Sequence, residues 1–427
     1  MVTAEFNFHP IGQGSFYSGL IYEYKSPHHY FNCVYDCGVK GGSSRLNEEI
    51  ESYKNSYRRE KLDVLFLSHL DDDHVNGVVQ LLTGIRCSKV YLPYLTPIQR
   101  LYVAIRSDAE GNDDNNYLGF IGSPHDYLLQ QGNIDEIIYV GENSERSFNG
   151  IEEITNPTGN TTTVYDNLEV IPERDFSADM SQISIGAGNK VKFKKGNGRI
   201  SFRQVWEFYF YHKQASMDKV HQLVDKINEL YGMTVTEQLS EVDLIRILNN
   251  TNQLNKLRGE FKKVFGDINR AGLLIQHKPI NYKRAELFKN YQVAPFFHHF
   301  SPLYRRFSRQ SFKIQNPTNE HKWGVTLLTG DIGLNQIDDS TYINKNKESV
   351  RVFQIPHHGS NTGWDANYLE HLNHNGLTSA IINFGYSNTH GHPTYKVLSD
   401  LEERNFEICF CNQFEGFNYE FVIDPKK

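Results

Sequence analysis

Residues Ser68 to Gly77 read SHLDDDHVNG and follow an apolar run, Val64 to Leu67, patterned as a buried strand. Within them His69, Asp71, Asp73 and His74 stand in the order H-x-D-x-D-H, four metal-ligating side chains in six residues. In an extended segment His69 and Asp71 project to the same side. Asp73 and His74 fall where the chain turns and reach toward a second point close by. Imidazole and carboxylate groups packed this densely at a strand's end are costly unless cations neutralise them. Alone, the stretch reads equally well as an acidic, solvated loop carrying two incidental histidines. The rest of the chain tips the balance.

Ile11-Gly12-Gln13-Gly14-Ser15 comes early, followed by the strand-like Phe31 to Tyr35 and then Asp36-Cys37-Gly38. Late in the chain Leu327-Leu328-Thr329-Gly330-Asp331-Ile332 puts an aspartate at the end of an apolar run. Ile355-Pro356-His357-His358-Gly359-Ser360 and Asn388-Thr389-His390-Gly391-His392-Pro393 follow. The ordered set GQG, D-x-G, HxDxDH, LLTGD, PHHGS and GHP resembles the metallo-β-lactamase superfamily. Its nearest likeness is to the hydrolase domain of the ComEC DNA-uptake proteins, which also carry Asp where most members have the second His. The matches span Ile11 to about Leu398, with long unmatched insertions between them.

The resemblance implies an α+β fold, an αββα four-layer sandwich with a metal cleft along one edge, as a single domain over residues 1–427. It assigns His69 and Asp71 to a first divalent cation, Asp73 and His74 to a second, and Asp331 to both. In the superfamily the His of an H-x-P-G-S motif completes the first site. The matching strand start here is Asn269-Arg270-Ala271-Gly272-Leu273, so Asn269 stands in its place, as an amide-oxygen ligand or as a turn-forming residue. His358, the second His of HHG, is the usual ligand of the second site, with His357 facing substrate phosphate. His392 competes with it, as a ligand or as the acid that protonates a leaving group. Asp36 matches an aspartate that braces the metal loop through hydrogen bonds without ligating. Asp73, His357 and His392 are thus the residues expected nearest the chemistry.

Two cations sharing a carboxylate activate a water and stabilise charge on the attacked and leaving oxygens. A carboxylate at Asp71 in place of imidazole hardens the first site, which favours Mn²⁺ or Mg²⁺ relative to an all-histidine zinc site and leaves Zn²⁺ open. Such a centre suits a phosphoryl oxygen better than an amide carbonyl. Hydrolysis of phosphodiesters, nucleic acid among them, is the expected activity; β-lactam hydrolysis is disfavoured. Two alternatives stay open: a hydrolase of a small phosphodiester, such as a cyclic nucleotide or phosphocholine ester, and a non-catalytic metal-stabilised binding module.

Composition sets the remaining bounds. A chain of 427 residues, 39% hydrophobic and 13% aromatic, can bury a sizeable core and is not globally disordered. No apolar run approaches the roughly 20 residues of a membrane span. Residues 1–10 lack the charged start and apolar core of a signal peptide, so no membrane association and a cytoplasmic location are expected. Cys33, Cys37, Cys87, Cys409 and Cys411 mostly occupy strand-like segments and read as buried reduced thiols.

A net charge of −7 argues against non-specific coating of nucleic acid. Basic residues still cluster: Lys192, Lys194, Lys195 and Arg199 around a glycine-rich turn, and Lys256, Arg258, Lys262 and Lys263 on one predicted helix. Arg305, Arg306 and Arg309 lie among aromatics in YRRFSRQSFK, a pairing that suits a single strand, whose phosphates and bases must both be met. Solvated faces are the default reading of each cluster.

Helices are expected over Asn47 to Arg59, Val75 to Gly84 and Tyr395 to Arg404. Apolar residues at helical spacing, Val220, Leu223, Val224, Ile227 and Leu230, then Leu239, Val242, Ile245 and Leu248, mark a helical insertion over residues 214–266. It is read as packed against the core, with a lid over the cleft as one use for it. Residues 277–322 are expected to form a hairpin-like extension.

Overall fold

The apolar runs become strands because each can bury one or both faces against a neighbour. The computed structural model describes residues 1–24, 26–41, 44–56, 60–107, 115–141, 164–166, 169–170, 190–195, 198–213, 220–232, 239–264, 272–280, 282–293, 310–315, 324–337, 350–372 and 378–425. In chain order its strands are β1 (Val2–Phe8), β2 (Gly14–Glu23), β3 (Ser26–Val39), β4 (Lys61–Phe66), β5 (Arg86–Pro93), β6 (Asn133–Gly141), β7 (Val164–Asp166), β8 (Glu169–Val170), β9 (Val191–Lys195) and β10 (Gly198–Phe202). They continue with β11 (Trp206–Lys213), β12 (Gly272–Pro279), β13 (Tyr282–Val293), β14 (Gln310–Gln315), β15 (Val325–Leu328), β16 (Val350–Gln354), β17 (Ser379–Asn383), β18 (Glu407–Cys411) and β19 (Glu415–Pro425).

Two mixed sheets result, with helices beside them. The first runs β14-β13-β19-β1-β2-β3-β4-β5-β6-β9-β8 and the second β18-β17-β16-β15-β12-β11-β10-β7. Strands β3 to β6 pair in parallel in the first sheet, and β15 to β18 in the second.

Side chains alternate between faces along a strand, and the core divides accordingly. Along β4, Val64 and Phe66 join Phe6, Tyr17, Trp206 and Phe421 in a cluster drawn from both sheets. Leu65 and, just past the strand, Leu67 instead join Leu46, Ile50, Leu101, Ile105 and Phe120, which come from helices Ser44–Lys54, Pro97–Ser107 and Asn115–Gly122. A third cluster joins Leu327, Phe353 and Ile382 of the second sheet to Val397 and Leu401 of helix Tyr395–Glu403.

The segment read as a helical insertion contains helices Val220–Tyr231, Glu241–Leu248 and Thr251–Val264. Leu223, Ile227, Leu244, Leu248 and Leu254 enter the same cluster as helix Pro97–Ser107, and Arg100 pairs with Glu241 at 2.7 Å. Two expectations need correcting. The second helical run breaks at Asn249 and Asn250, and its buried face is Leu244, Ile247 and Leu248; Val242 and Ile245 are exposed. The run expected over Val75 to Gly84 is two short turns, Asp72–Val75 and Val78–Leu82. Within the residues read as a hairpin-like extension, β13 pairs with both β14 and β19 and widens the first sheet.

The described basic residues are largely engaged: Lys192 with Glu136, Arg199 with Glu207, and Arg258 buried. All five cysteines are buried and unbridged. Among the described residues no helix is long and apolar enough to cross a membrane.

A buried polar chain ties the sheets together: the Tyr17 hydroxyl lies 2.7 Å from both His277 Nε2 and the Tyr419 hydroxyl, and Tyr419 lies 2.7 Å from Thr326 Oγ1. Burial pushes His277 down to about 3 and His212 down to about 4. Neither nitrogen of His212 has a hydrogen-bond partner among the described residues. Unfolded histidine titrates near 6.5. Between that value and about 4 the unfolded chain therefore binds the His212 proton that the fold refuses, and stability falls as pH falls. The expected slope from this residue is about 1.4 kcal/mol per pH unit. His212→Leu should remove it, so that urea midpoints at pH 7 and pH 5 lie closer together than in the parent chain. An unchanged gap would show that His212 is charged in the fold.

Candidate metal centre

The side chains singled out in the sequence come from loops at the carboxyl ends of parallel strands, where open α/β sheets commonly form crevices. Ser68 to His74 follow β4, Asp331 follows β15, and His357 and His358 follow β16, while Asp36 lies near the end of β3. Gly38 explains the D-x-G motif: a Cβ there would meet Val75 N at 2.6 Å and Asp73 C at 2.7 Å, the backbone of the histidine-aspartate loop itself. Gly330, at φ +53°, leaves equally little room, since its Cβ would meet Ser68 Oγ at 2.8 Å.

Three histidines share one arrangement, with Nδ1 anchored and Nε2 directed at carboxylates. His69 Nδ1–H donates to Ser68 Oγ at 2.8 Å, His74 Nδ1–H to Asp36 Oδ2 at 2.8 Å, and His358 Nδ1–H to the Asn383 carbonyl at 2.9 Å. Their Nε2 atoms approach Asp331 from two sides. His69 lies 3.6 Å from Oδ2, while His74 and His358 lie 3.5 and 4.0 Å from Oδ1. Asp71 is 3.5 Å from His69 Nε2 on one side; Asp73 is 3.3 Å from His358 Nε2 and 4.0 Å from His74 Nε2 on the other.

Donor atoms of His69, His74 and Asp331 lie within 4.8 Å of one another, as do those of Asp73, His74 and His358, and those of His69, Asp71 and Asp73. Two donors each about 2.1 Å from one cation stand roughly 3–4 Å apart, so these spacings suit shared ions. The donors are imidazole nitrogen and carboxylate oxygen, a set that takes Mn²⁺, Mg²⁺ or Zn²⁺. His74 Nε2 is buried with no hydrogen-bond partner among the described residues. An electrophile there would satisfy it.

The electrostatics are consistent with such a site. Burial would raise the Asp73 carboxyl, but His74, the hydrogen bond from His358 and the charges of His358 and His69 outweigh it and hold the carboxyl well below its usual range. Asp36, fully buried at φ +56°, accepts from Ser68 N at 2.6 Å, Ser68 Oγ at 2.7 Å and His74. His357 and His358 also have positive φ, 51° and 56°. Such backbone costs about 1–2 kcal/mol per non-glycine residue, and its concentration here marks a constrained site.

Of the two histidines competing for the second position, His358 is the one whose donor atom joins Asp73 and His74. His392 lies farther out, its ring 5.7 Å from that of His357, whose Nε2 is 4.0 Å from Asp331 Oδ2. Asn269, Arg305, Arg306 and Arg309 lie outside the described residues. A further group, His125, Asp126 and Glu241, involves the helical cluster, and its Glu241 is already paired with Arg100.

One participant was not anticipated. Arg106, in helix Pro97–Ser107, forms an ion pair with Asp71 Oδ2. The helix was legible in Thr96-Pro97-Ile98-Gln99. Pro97 takes the first helical position, and Thr96 N donates to Gln99 Oε1 at 2.8 Å in a capping box. Ile98, Leu101, Ala104 and Ile105 form its buried face. Arg106→Ala takes the guanidinium from Asp71, which stays buried in a cluster with His69 and Asp73. The metal-free protein should lose about 3 kcal/mol, and added Mn²⁺ should raise the Tm of the variant more than that of the parent. Equal increments would mean that Asp71 and a cation do not interact.

Compared with protein-family models and with curated proteins, the chain finds no match.

Proposed function

We propose that this chain is a metal-dependent hydrolase of phosphodiesters, nucleic acid being the leading substrate class, with the αββα four-layer architecture of the metallo-β-lactamase superfamily and a ComEC-like HxDxDH centre. One observation carries the reading: Asp331 turns one carboxylate oxygen toward His69 and the other toward His74 and His358. A carboxylate so disposed suits two cations. His69, Asp71 and Asp331 would hold the first, and Asp73, His74, His358 and Asp331 the second. Bound there, divalent cations supply an acidified water and charge stabilisation for the attacked and leaving oxygens.

The chain's own groups do the rest. Ser68, Asp36 and the Asn383 carbonyl hold the Nδ1 side of the three histidines, which turns each Nε2 toward the centre. His357, half-buried at the rim, is set to donate to a phosphoryl oxygen. His392, next outward, is set to protonate a leaving group.

The test is incubation of the purified chain with Mn²⁺, Mg²⁺ or Zn²⁺ and a panel: single- and double-stranded DNA, RNA, cyclic nucleotides, a phosphocholine ester and bis(p-nitrophenyl) phosphate. Cleavage of polymeric and generic diesters is expected. Cleavage confined to a small diester would reassign the substrate, and bound metal without turnover of any diester would leave a binding module.

A further inference from the structure

Two features around the loop after β17 extend beyond the hydrolytic centre. The first is a row of cationic or protonatable groups that starts at the rim histidines and leads away from it, ending in His390 and Lys40, which the centre does not use. His357 is followed by His392 at 5.7 Å between rings, then His390 at 5.6 Å and nearly parallel, and His390 Nε2 meets Lys40 Nζ at 2.7 Å. Exposure rises along it, from half-buried His357 to exposed His390. The second is an aromatic patch; among the described residues most other large apolar side chains are buried. Tyr386 is 69% exposed and Phe414 36%, with rings 5.8 Å apart, and Phe384 lies 6.0 Å behind Tyr386.

The two features are joined and held rigid. The Gly385 amide donates to Gln13 Oε1 at 3.0 Å, and Lys40 N donates to the Gln13 carbonyl at 2.6 Å. Tyr386 N donates to Gln413 Oε1 at 3.0 Å, beside Phe414. Asn388 staples the loop, accepting from the amides of His390 and His392 and donating to the carbonyls of Gly385 and His392.

We infer that this surface binds a single-stranded nucleic acid, with Lys40 and His390 meeting backbone phosphates and the faces of Tyr386 and Phe414 stacking on bases. A cationic track beside exposed aromatic faces is what an unpaired strand requires, since every base offers a π-face once it is out of a duplex. A cyclic nucleotide held at the metal centre would need neither the outer groups, His390 and Lys40, nor the platform. The inference rests on the proposed phosphodiesterase reading and narrows its substrate to a strand extending beyond the cleaved bond.

The test is fluorescence anisotropy of a labelled single-stranded thymidine oligonucleotide with the full chain in chelator, so that binding is read without hydrolysis. The parent chain should bind. Tyr386→Leu and Phe414→Leu should each weaken binding about 10-fold, and Tyr386→Phe should retain it. Lys40→Gln should lower the slope of log affinity against log salt by about one. Turnover of bis(p-nitrophenyl) phosphate with Mn²⁺ should be unchanged in all four variants. Parent-level binding by Tyr386→Leu, or a patch whose removal merely dissolves a dimer of this chain, would overturn the surface while leaving the hydrolase intact. The expected binding pattern with no hydrolysis of any diester would overturn the hydrolase and leave the surface.

Discussion

Asp331→Asn abolishes diester hydrolysis while the chain stays folded: this is the largest effect expected of any single substitution. The side chain is nearly isosteric, so the packing after β15 is kept, including the His357 amide's bond to the Gly330 carbonyl at 3.1 Å. What is lost is the charge that faces His69 on one side and His74 and His358 on the other. Removing one group from a preorganised electrostatic centre typically lowers turnover on the order of 10²–10³-fold. Asp331 would serve two ions at once, so that range is a lower bound. Metal affinity should fall in parallel and the metal-free Tm should not. Retained turnover in a folded Asp331→Asn chain would remove the shared-carboxylate centre.

Asp36→Ala should damage both fold and site. It strips the acceptor from Ser68 N, Ser68 Oγ and His74 Nδ1, all buried, and puts alanine at φ +56°. Each donor left unpaired costs about 1–3 kcal/mol, so a fall in stability of several kcal/mol is expected. Asp36→Asn separates the two roles. Asparagine tolerates positive φ and keeps one acceptor oxygen, so most of the stability should return. His74, however, loses the carboxylate that fixes its tautomer, and metal affinity should remain about 10–100-fold below the parent. Full recovery of metal binding in Asp36→Asn would show that hydrogen bonding alone, without the carboxylate charge, orients His74.

Much of the centre was legible because its chemistry is local in sequence. H-x-D-x-D-H packs four donors into one turn after β4, and Gly14 of GQG and Gly38 of D-x-G are readable once they are seen as close approaches to that turn. What sequence missed depends on contacts between distant segments. Arg106 meets Asp71 only because helix Pro97–Ser107 packs against the first sheet, and no charge pattern near Arg106 announces that. Its capping box and apolar spacing are the signals that could have placed the helix, which is not among the helices expected from the sequence.

Val242 and Ile245 keep the helical period of Leu239 and Leu248, but the side chains buried between them are Leu244 and Ile247. The aromatic patch was invisible for the same reason. Tyr386 and Phe414 belong to different loops, and only the pairing of β17 with β18 brings their segments together. The choice between His358 and His392, open in sequence, is a matter of reach: the first shares a 4.8 Å circle with Asp73 and His74.

The most direct measurement is bis(p-nitrophenyl) phosphate turnover by chelator-stripped protein titrated with Mn²⁺, with bound metal counted at each point. The account predicts no turnover without metal and a rise that saturates at two bound cations per chain. Full activity in chelator, or two bound cations with no turnover of this or any other diester, would contradict it.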